Sequence, residues 1–258
     1  MIATLLVGTV TLRPYVIGFL VFFLAAATRD LGARRALGYL AWGVGVALVA
    51  ELSSTRVGIP FGLYHYTGDT HGAELFIANV PIFSPLSFPF LAYAGFCVAR
   101  LALPRTWAVS RRGRASMVLL AGVLMTLLDV VIDPLAVRGE HWFLGHVFDY
   151  PAGGVYFGVP LSNFAGWLLV GWITVGGLVA AGESGAGSPR LGAALYALVL
   201  LGNLGLTFWI GEWGLGGVGI VVHLTGFLLL YSVSRAVLGR WSAEPLQASA
   251  TSGGSRTS

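Results

Sequence analysis

Three carboxylic acids lie inside apolar stretches of this sequence, where their chemistry differs from that of acids in water. Glu51 follows Leu48-Val49-Ala50, and Asp129 and Asp133 flank Val130-Val131-Ile132. An ionised carboxylate in hydrocarbon costs roughly 2.5–3.5 kcal/mol, so we expect these groups to face the interior of a helix bundle. The two aspartates are four residues apart and therefore share one helix face. Two acids this close in a poor dielectric are expected to share a proton, which suits general acid–base chemistry.

Proline and arginine residues suggest how deep these acids lie. Pro134 predicts the end of its helix, because the residue before a proline disfavours helical geometry. Asp129 is then about one turn, ~6 Å, deeper than Asp133. Glu51 precedes Arg56 by five residues, so a similar depth is expected. Another interpretation is that an aspartate pairs with Arg56 or Arg138, or caps a broken helix.

Composition predicts the elements that carry these acids. The chain is 56% hydrophobic and only 10% charged, whereas about a quarter of the residues of a soluble domain are charged. We therefore predict an all-α, polytopic bundle of transmembrane helices forming one domain over residues 1–240, followed by a disordered tail over 241–258. Each span needs ~20 apolar residues. Seven spans are predicted, with six or eight as alternatives, near residues 14–28, 37–55, 80–103, 115–133, 160–182, 191–210 and 214–238.

The basic residues predict an orientation. All fifteen are arginine, which excludes a retinal protein, since its Schiff base needs a lysine. Twelve arginines fall after the odd-numbered spans, and only Arg13, Arg56 and Arg138 fall on the other side. The positive-inside rule then predicts an outer N-terminus and a cytoplasmic C-terminus in the plasma membrane. The acids of interest lie near the outer face. The position of the arginines in the loops between spans accounts for the net charge of +4, so no nucleic-acid partner is predicted. The sequence indicates no oligomeric state.

Metal and cofactor motifs are weak. His65 and His71, like His141 and His146, are five or six residues apart in glycine-rich loops, which leaves open a metal or haem site. No nucleotide-binding loop, serine-hydrolase elbow or zinc-protease motif is present. We therefore predict no metal and no cofactor.

Two segments of the sequence indicate a particular protein family, which composition alone does not. The first is Gly58-Ile59-Pro60-Phe61-Gly62-Leu63-Tyr64-His65-Tyr66, which follows Glu51. The second begins at Asp129, continues through Trp142, and ends in Tyr156-Phe157-Gly158-Val159-Pro160-Leu161-Ser162-Asn163-Phe164-Ala165-Gly166-Trp167. Together they resemble the membrane carotenoid hydratases of the CruF type, over roughly residues 37–235. Ser84-Pro85-Leu86-Ser87 departs from the expected tryptophan-bearing helix start, which leaves the role of the third span open.

The resemblance implies water addition across the terminal C1=C2 double bond of an acyclic carotenoid lying in the bilayer, without a redox cofactor. Asp129 is then expected to act as general acid and Asp133 or Glu51 to hold the water, with Asn163 and Tyr64 in support. Aromatic faces stabilise a cation by up to ~2 kcal/mol when desolvated. The expected substrate-binding residues are Phe61, Tyr64, Trp142, Tyr156, Phe157, Asn163 and Trp167.

Three other functions suit the same residues. A transporter or proton channel also uses buried carboxylates. A carotenoid end-group cyclase also protonates an alkene, but a second double bond captures its cation. A passive pigment-binding protein needs only the apolar walls.

Overall fold

The computed structural model describes residues 2–104, 110–182 and 187–251, with side chains as far as residue 235. Eight α-helices occupy most of that part of the chain: α1 (Ile2–Leu12), α2 (Pro14–Leu31), α3 (Ala33–Val57), α4 (Phe83–Ala102), α5 (Arg111–Ala136), α6 (Leu161–Ala180), α7 (Arg190–Trp209) and α8 (Trp213–Thr251). The connections contain a 3₁₀ turn, Gly139–His141, and four short strands: β1 (His65–Tyr66), β2 (Phe76–Ile77), β3 (Val80–Pro81) and β4 (Phe148–Asp149).

Seven helices of the described chain, α2 to α8, are long and apolar enough to cross a membrane. The apolar span within α8 is Trp213–Arg235. Helix α8 itself continues to Thr251, past the predicted domain boundary at residue 240. The division into a membrane domain and a disordered tail stays a prediction. The apolar α1 has 11 residues, too few for a crossing that needs ~20. The all-α class and the seven spans are therefore confirmed, and this is a multi-pass membrane protein.

The predicted end of the fourth span at Pro134 is wrong, because α5 continues to Ala136. Pro134 lies in the last turn, where its missing N–H removes a single backbone hydrogen bond. The next turn still forms, since the Val137 N–H donates to the Asp133 carbonyl at 3.0 Å. Asp133 therefore belongs to regular helix, on the same face as Asp129.

Local sequence explains where several helices start and stop. Pro14 occupies the first turn of α2, where a missing N–H costs nothing. The Ser110 hydroxyl caps α5 by accepting from the Gly113 N–H at 2.9 Å. Gly58 ends α3 with φ 75°, a left-handed conformation that favours glycine. The chain can therefore turn sharply just beyond Glu51.

Helices α5 and α6 pack closely through small residues. A Cβ at Gly171 would lie 3.1 Å from both Gly122 Cα and Met125 Sδ, so a side chain there would require these neighbours to shift by a few tenths of an ångström. Of the spans, α4 is the most enclosed, because 67% of an 18-residue apolar stretch within it is buried against 22% of the corresponding stretch in α8. The bundle therefore has α4 near its centre, while α8 faces lipid.

The two long connections lie at one end of the bundle, which we call the loop end. Antiparallel pairing of β1 with β4 joins the α3–α4 connection to the α5–α6 connection, with His65 opposite Asp149. Strands β2 and β3 also pair, with Phe76 opposite Pro81. Arg13, at the α1–α2 junction, is buried and forms an ion pair with Glu74 at 2.7 Å. The loop end is thus a tied structure rather than a set of independent loops.

Most arginines lie at the opposite end, which we call the arginine end. Arg100 and Tyr93 both donate to the buried carboxylate of Asp30, which joins α2 to α4 there. Two of the twelve arginines assigned to this side, Arg105 and Arg256, lie outside the described residues. The structure thus separates the two groups of arginines, while the assignment of one end to the cytoplasm stays a prediction.

Candidate active site

A cavity of about 570 Å³ lies toward the loop end of the bundle. Its walls come from α2, α3, α4, α5, α6 and α7 and from the two long connections. A volume in this range holds an organic ligand of drug size. Seven of the ten predicted site residues line this cavity: Glu51, Phe61, Tyr64, Asp133, Trp142, Asn163 and Trp167.

Glu51 forms one acidic wall of the cavity. Its side chain is 2% exposed. The Ser84 hydroxyl donates to Glu51 Oε1, and the Tyr66 hydroxyl donates to Ser84 Oγ at 2.9 Å. Glu51 Oε2 has no hydrogen-bond partner among the described residues. One oxygen of this carboxyl group is thus fixed, and the other is buried without a hydrogen-bond partner in the described part of the chain.

The Tyr66 hydroxyl is a reliable hydrogen-bond donor in the chain of contacts from Tyr66 through Ser84 to Glu51. Burial raises the pKa of Tyr66 well above its usual value, and the nearby Glu51 carboxyl raises it further. Tyr66 therefore stays protonated. Since a hydroxyl both donates and accepts, Ser84 can accept from Tyr66 while it donates to Glu51.

Asp133 forms the second acidic wall. Its Oδ2 accepts two hydrogen bonds, from Asn163 Nδ2 at 2.7 Å and from Trp167 Nε1 at 3.1 Å. Donors of this kind stabilise the ionised form of a carboxyl group. Asp133 therefore accepts two side-chain hydrogen bonds, whereas Glu51 accepts one.

Asp129 is fully buried and lies behind this wall. Asn163 Nδ2 donates to Asp129 Oδ2 at 2.8 Å, so one amide group holds both aspartates together. Asp129 Oδ1 has no partner among the described residues. Asp129 is absent from the described cavity lining, so a ligand in the cavity meets Asp133 first. Its predicted role as general acid stays untested.

The alternative pairing of the aspartates with arginine finds no support in the described contacts. Arg138 pairs with Glu212 at 2.7 Å and also donates to the Phe157 carbonyl. Arg56 donates to the Leu52 carbonyl on its own helix. The described contacts of the two arginines are thus directed away from the aspartates.

Aromatic rings cover the remaining cavity surface near the acids. Trp167 stacks on Phe88 with ring centroids 4.5 Å apart, and Phe61 packs on the same Phe88 at 5.6 Å. Backbone contacts position Phe61, whose N–H donates to Ser54 Oγ at 3.0 Å. Tyr64 contacts Tyr66 edge-on at 5.4 Å. Ring faces and edges thus surround the space between Glu51 and Asp133.

Two predicted substrate-binding residues lie elsewhere. Tyr156 packs edge-on against Phe157 and Phe164, outside the described cavity lining. The Phe157 carbonyl accepts a hydrogen bond from Arg138 at 2.8 Å. Both residues stabilise the turn before α6 in this structure, and their contact with substrate stays a prediction.

Some cavity residues were missed at the sequence level. Ser84 and Ser87 lie in the segment that departs from the expected helix start, and that departure was the available signal. Phe88 and the α7 residues carried no signal, because apolar residues on a membrane helix are ordinary. Among the described residues, no group of three or more histidine, cysteine, aspartate or glutamate side chains could hold a metal ion.

Comparison with known proteins places these features in context. A sequence model of the family described as "Carotenoid biosynthesis protein" matches residues 6–230. Bisanhydrobacterioruberin hydratase of Haloarcula japonica is 32% identical over 135 residues, covering 48% of this chain and 41% of the relative. The chain thus matches less than half the length of this curated relative. No solved structure matches the chain significantly.

Proposed function

Because this chain belongs to the carotenoid biosynthesis protein family, we propose that it is a hydratase acting on the end of an acyclic carotenoid in the membrane. It adds water across the terminal C1=C2 double bond and gives a tertiary alcohol at C1. The hydratase name of the Haloarcula japonica relative supports this reaction type. The observation that carries the proposal is a largely apolar cavity with two carboxyl groups of different hydrogen bonding on its walls.

Glu51 is the proposed general acid. Its unpartnered Oε2 can hold a proton in an apolar surrounding, where the neutral form is favoured. Transfer of that proton to C2 forms the C2–H bond from the π electrons and leaves a tertiary cation at C1. This differs from the sequence-based hypothesis, which gave the acid role to Asp129.

Asp133 is the proposed base that holds the water. Its carboxylate is stabilised by Asn163 and Trp167 and lines the same cavity as Glu51. The water oxygen attacks C1, and its departing proton goes to Asp133. That proton must return to Glu51 before the next turnover, so no net proton is consumed.

Aromatic groups are proposed to stabilise the cation. A cation over a desolvated ring gains up to ~2 kcal/mol. Trp167 is held in place by stacking on Phe88 and by its N–H bond to Asp133. Phe61 and Tyr64 line the same space. Asp129, held behind Asn163, is a positioning residue in this scheme rather than a catalytic one.

The proposal is tested by expressing the chain in cells that make lycopene and identifying the pigments by mass spectrometry. We expect a product heavier by one water, with its oxygen labelled when the cells grow in H₂¹⁸O. Glu51→Gln and Asp133→Asn are each expected to lower conversion about 100-fold or more, in line with losses of general acids and bases. Asp129→Asn is expected to retain a larger fraction of activity than Asp133→Asn.

Glu140→Gln, which changes an exposed acid at the loop end, is the matched control and is expected to convert lycopene like the wild type. Expression of each variant is checked by immunoblot of the membranes. A product of unchanged mass would identify a cyclase and contradict the proposal. Unchanged pigment in cells with abundant wild-type protein would contradict it as well.

A further inference from the structure

The cavity has a second side that the proposed chemistry does not use. Residues of α2 and α7 form this side, away from Glu51 and Asp133. Leu201 and Trp209 on α7 line the cavity although they are 66% and 71% exposed. A residue can do both only if the cavity reaches the outer surface of the bundle. Since α7 is a membrane span, that surface faces lipid.

Two glycines widen this opening. Gly202 and Gly205 lie on α7 with Trp209, at a spacing that puts all three on one helix face. A Cβ built at Gly202 or Gly205 meets no atom within 4 Å, so neither glycine is required by close packing. Their lack of side chains leaves space at the cavity mouth without serving the fold.

The chemistry of the opening suits an apolar ligand. Its α2 side is formed by Tyr15, Val16 and Phe19, and Asn203 is the most polar of the described α7 residues there. No charged side chain from α2 or α7 lines it among the described residues. The far end of the same cavity carries the buried Glu51 oxygen without a partner. One continuous space thus extends from the lipid-facing surface of α7 to Glu51, the proposed general acid.

We infer that the opening between α2 and α7 is a lateral portal for a long isoprenoid chain, with Gly202 and Gly205 as the residues that admit it. The chain lies in the portal with its terminal double bond between Glu51 and Asp133 and its remaining length in the bilayer. This inference rests on the proposed function, which supplies the reacting end. A carotenoid is longer than a drug-sized cavity, so part of it must remain outside.

Steric closure of the portal is the first test. Gly205→Phe and Gly202→Phe add a ring at the mouth, where a Cβ meets no atom within 4 Å. Gly45→Phe adds a ring at an equally open position on an exposed face of α3 outside the cavity. The purified variants in lipid nanodiscs are given lycopene or geranylacetone, a short ketone that ends in the same trisubstituted alkene. We expect lycopene conversion to fall about tenfold or more in the two portal variants. Their conversion of geranylacetone is expected to stay near the wild-type rate, as is the conversion of lycopene by Gly45→Phe. Wild-type lycopene conversion in both portal variants would overturn the inference.

A binding test does not depend on turnover. Cys97, the single cysteine of the chain, is fully buried, so a cysteine introduced at Gly205 or Gly45 is the accessible thiol. Lycopene is expected to slow the reaction of Gly205→Cys with a membrane-permeant thiosulfonate several-fold and to leave Gly45→Cys unchanged. Equal labelling rates of Gly205→Cys with and without lycopene would overturn the portal, even if the enzyme hydrates lycopene. Protection without any hydration by the wild type would instead retain the portal and reject the proposed function.

Discussion

Ser84 connects two groups that are distant in sequence. Its hydroxyl donates to Glu51 Oε1 and accepts from Tyr66, so it fixes the orientation of the proposed acid. Because Oε1 accepts this hydrogen bond, we propose that Glu51 carries its proton on Oε2. Ser84 therefore acts as a positioning residue in the proposed reaction.

Removing this hydroxyl is expected to slow the chemical step more than binding. A hydrogen bond to a charged or proton-transferring group contributes about 1.5–3 kcal/mol. Ser84→Ala is therefore expected to lower kcat for lycopene about tenfold or more, with KM changed less than about threefold. Ser84→Thr restores the hydroxyl and is expected to recover most of the rate.

Ser87→Ala is the matched control for Ser84→Ala. Ser87 lies on the same helix and lines the same cavity, but its hydroxyl donates to the Ser84 carbonyl rather than to Glu51. Its kcat is expected to stay within about twofold of wild type. A Ser84→Ala enzyme with wild-type kcat, or a Ser87→Ala enzyme equally impaired, would remove the positioning role.

At this scale the sequence predicted the acids better than their partners. Glu51, Asp133 and Asn163 are recognisable because polar residues are costly inside a membrane. Ser84 and Tyr66 are common residue types at the end of a span, and only their long-range contact with Glu51 distinguishes them. The sequence also did not predict that Asp133 lines the cavity while Asp129 lies behind it. Two residues on one helix face can differ in whether they reach a cavity, and this depends on the neighbouring helices.

A buried ion pair between Arg13 and Glu74 links three segments at the loop end. Arg13 donates to both Glu74 oxygens and to the Leu144 carbonyl, so one side chain connects the α1–α2 junction to both long connections. Leu144 also lines the cavity. The ion pair thus supports the part of the cavity wall that the connections supply.

Breaking this pair on one side should destabilise the protein strongly. Glu74→Leu leaves the buried Arg13 guanidinium without its counter-charge, at a cost of about 3–5 kcal/mol. The midpoint of thermal unfolding in detergent is expected to fall by about 10 °C. The double variant Arg13→Met with Glu74→Leu removes both charges and is expected to recover part of that loss.

An exposed pair at the same end provides the control for Glu74→Leu. Glu140 and His141 approach to 3.8 Å in solvent, and such pairs contribute about 0–1 kcal/mol. Glu140→Gln is therefore expected to shift the unfolding midpoint by no more than about 3 °C. An equal shift in Glu140→Gln and Glu74→Leu would contradict the role of the buried pair.

Among the elements, the spans were predictable and the connections were not. Seven apolar stretches identify seven helices because hydrocarbon requires intrahelical hydrogen bonds and a minimum length. The pairing of β1 with β4 joins His65 to Asp149 across two helices, and no local pattern indicates such a contact. The passage of α5 through Pro134 depends on its position in the last turn, which hydropathy does not locate.

At the scale of the whole molecule, the two ends differ in charge, and the cavity lies toward one of them. The cavity and its acids lie toward the loop end, whose flanking arginines are Arg13, Arg56 and Arg138, and most other arginines lie at the arginine end. We propose that the arginine end faces the cytoplasm, because basic residues are retained on that side during insertion. The substrate end group then reacts toward the outer leaflet, and the new hydroxyl group can reach the outer interface.

This orientation can be measured with introduced cysteines, since the buried Cys97 leaves the natural protein unlabelled. Val155 is 85% exposed at the loop end, and Ala33 is exposed at the arginine end between α2 and α3. A membrane-impermeant maleimide applied to intact spheroplasts is expected to label Val155→Cys and to spare Ala33→Cys until the membrane is opened. Labelling of Ala33→Cys alone in intact spheroplasts would reverse the orientation. The proposed chemistry would survive that reversal, because the cavity and its acids keep their geometry, but hydration would then occur toward the cytoplasmic leaflet.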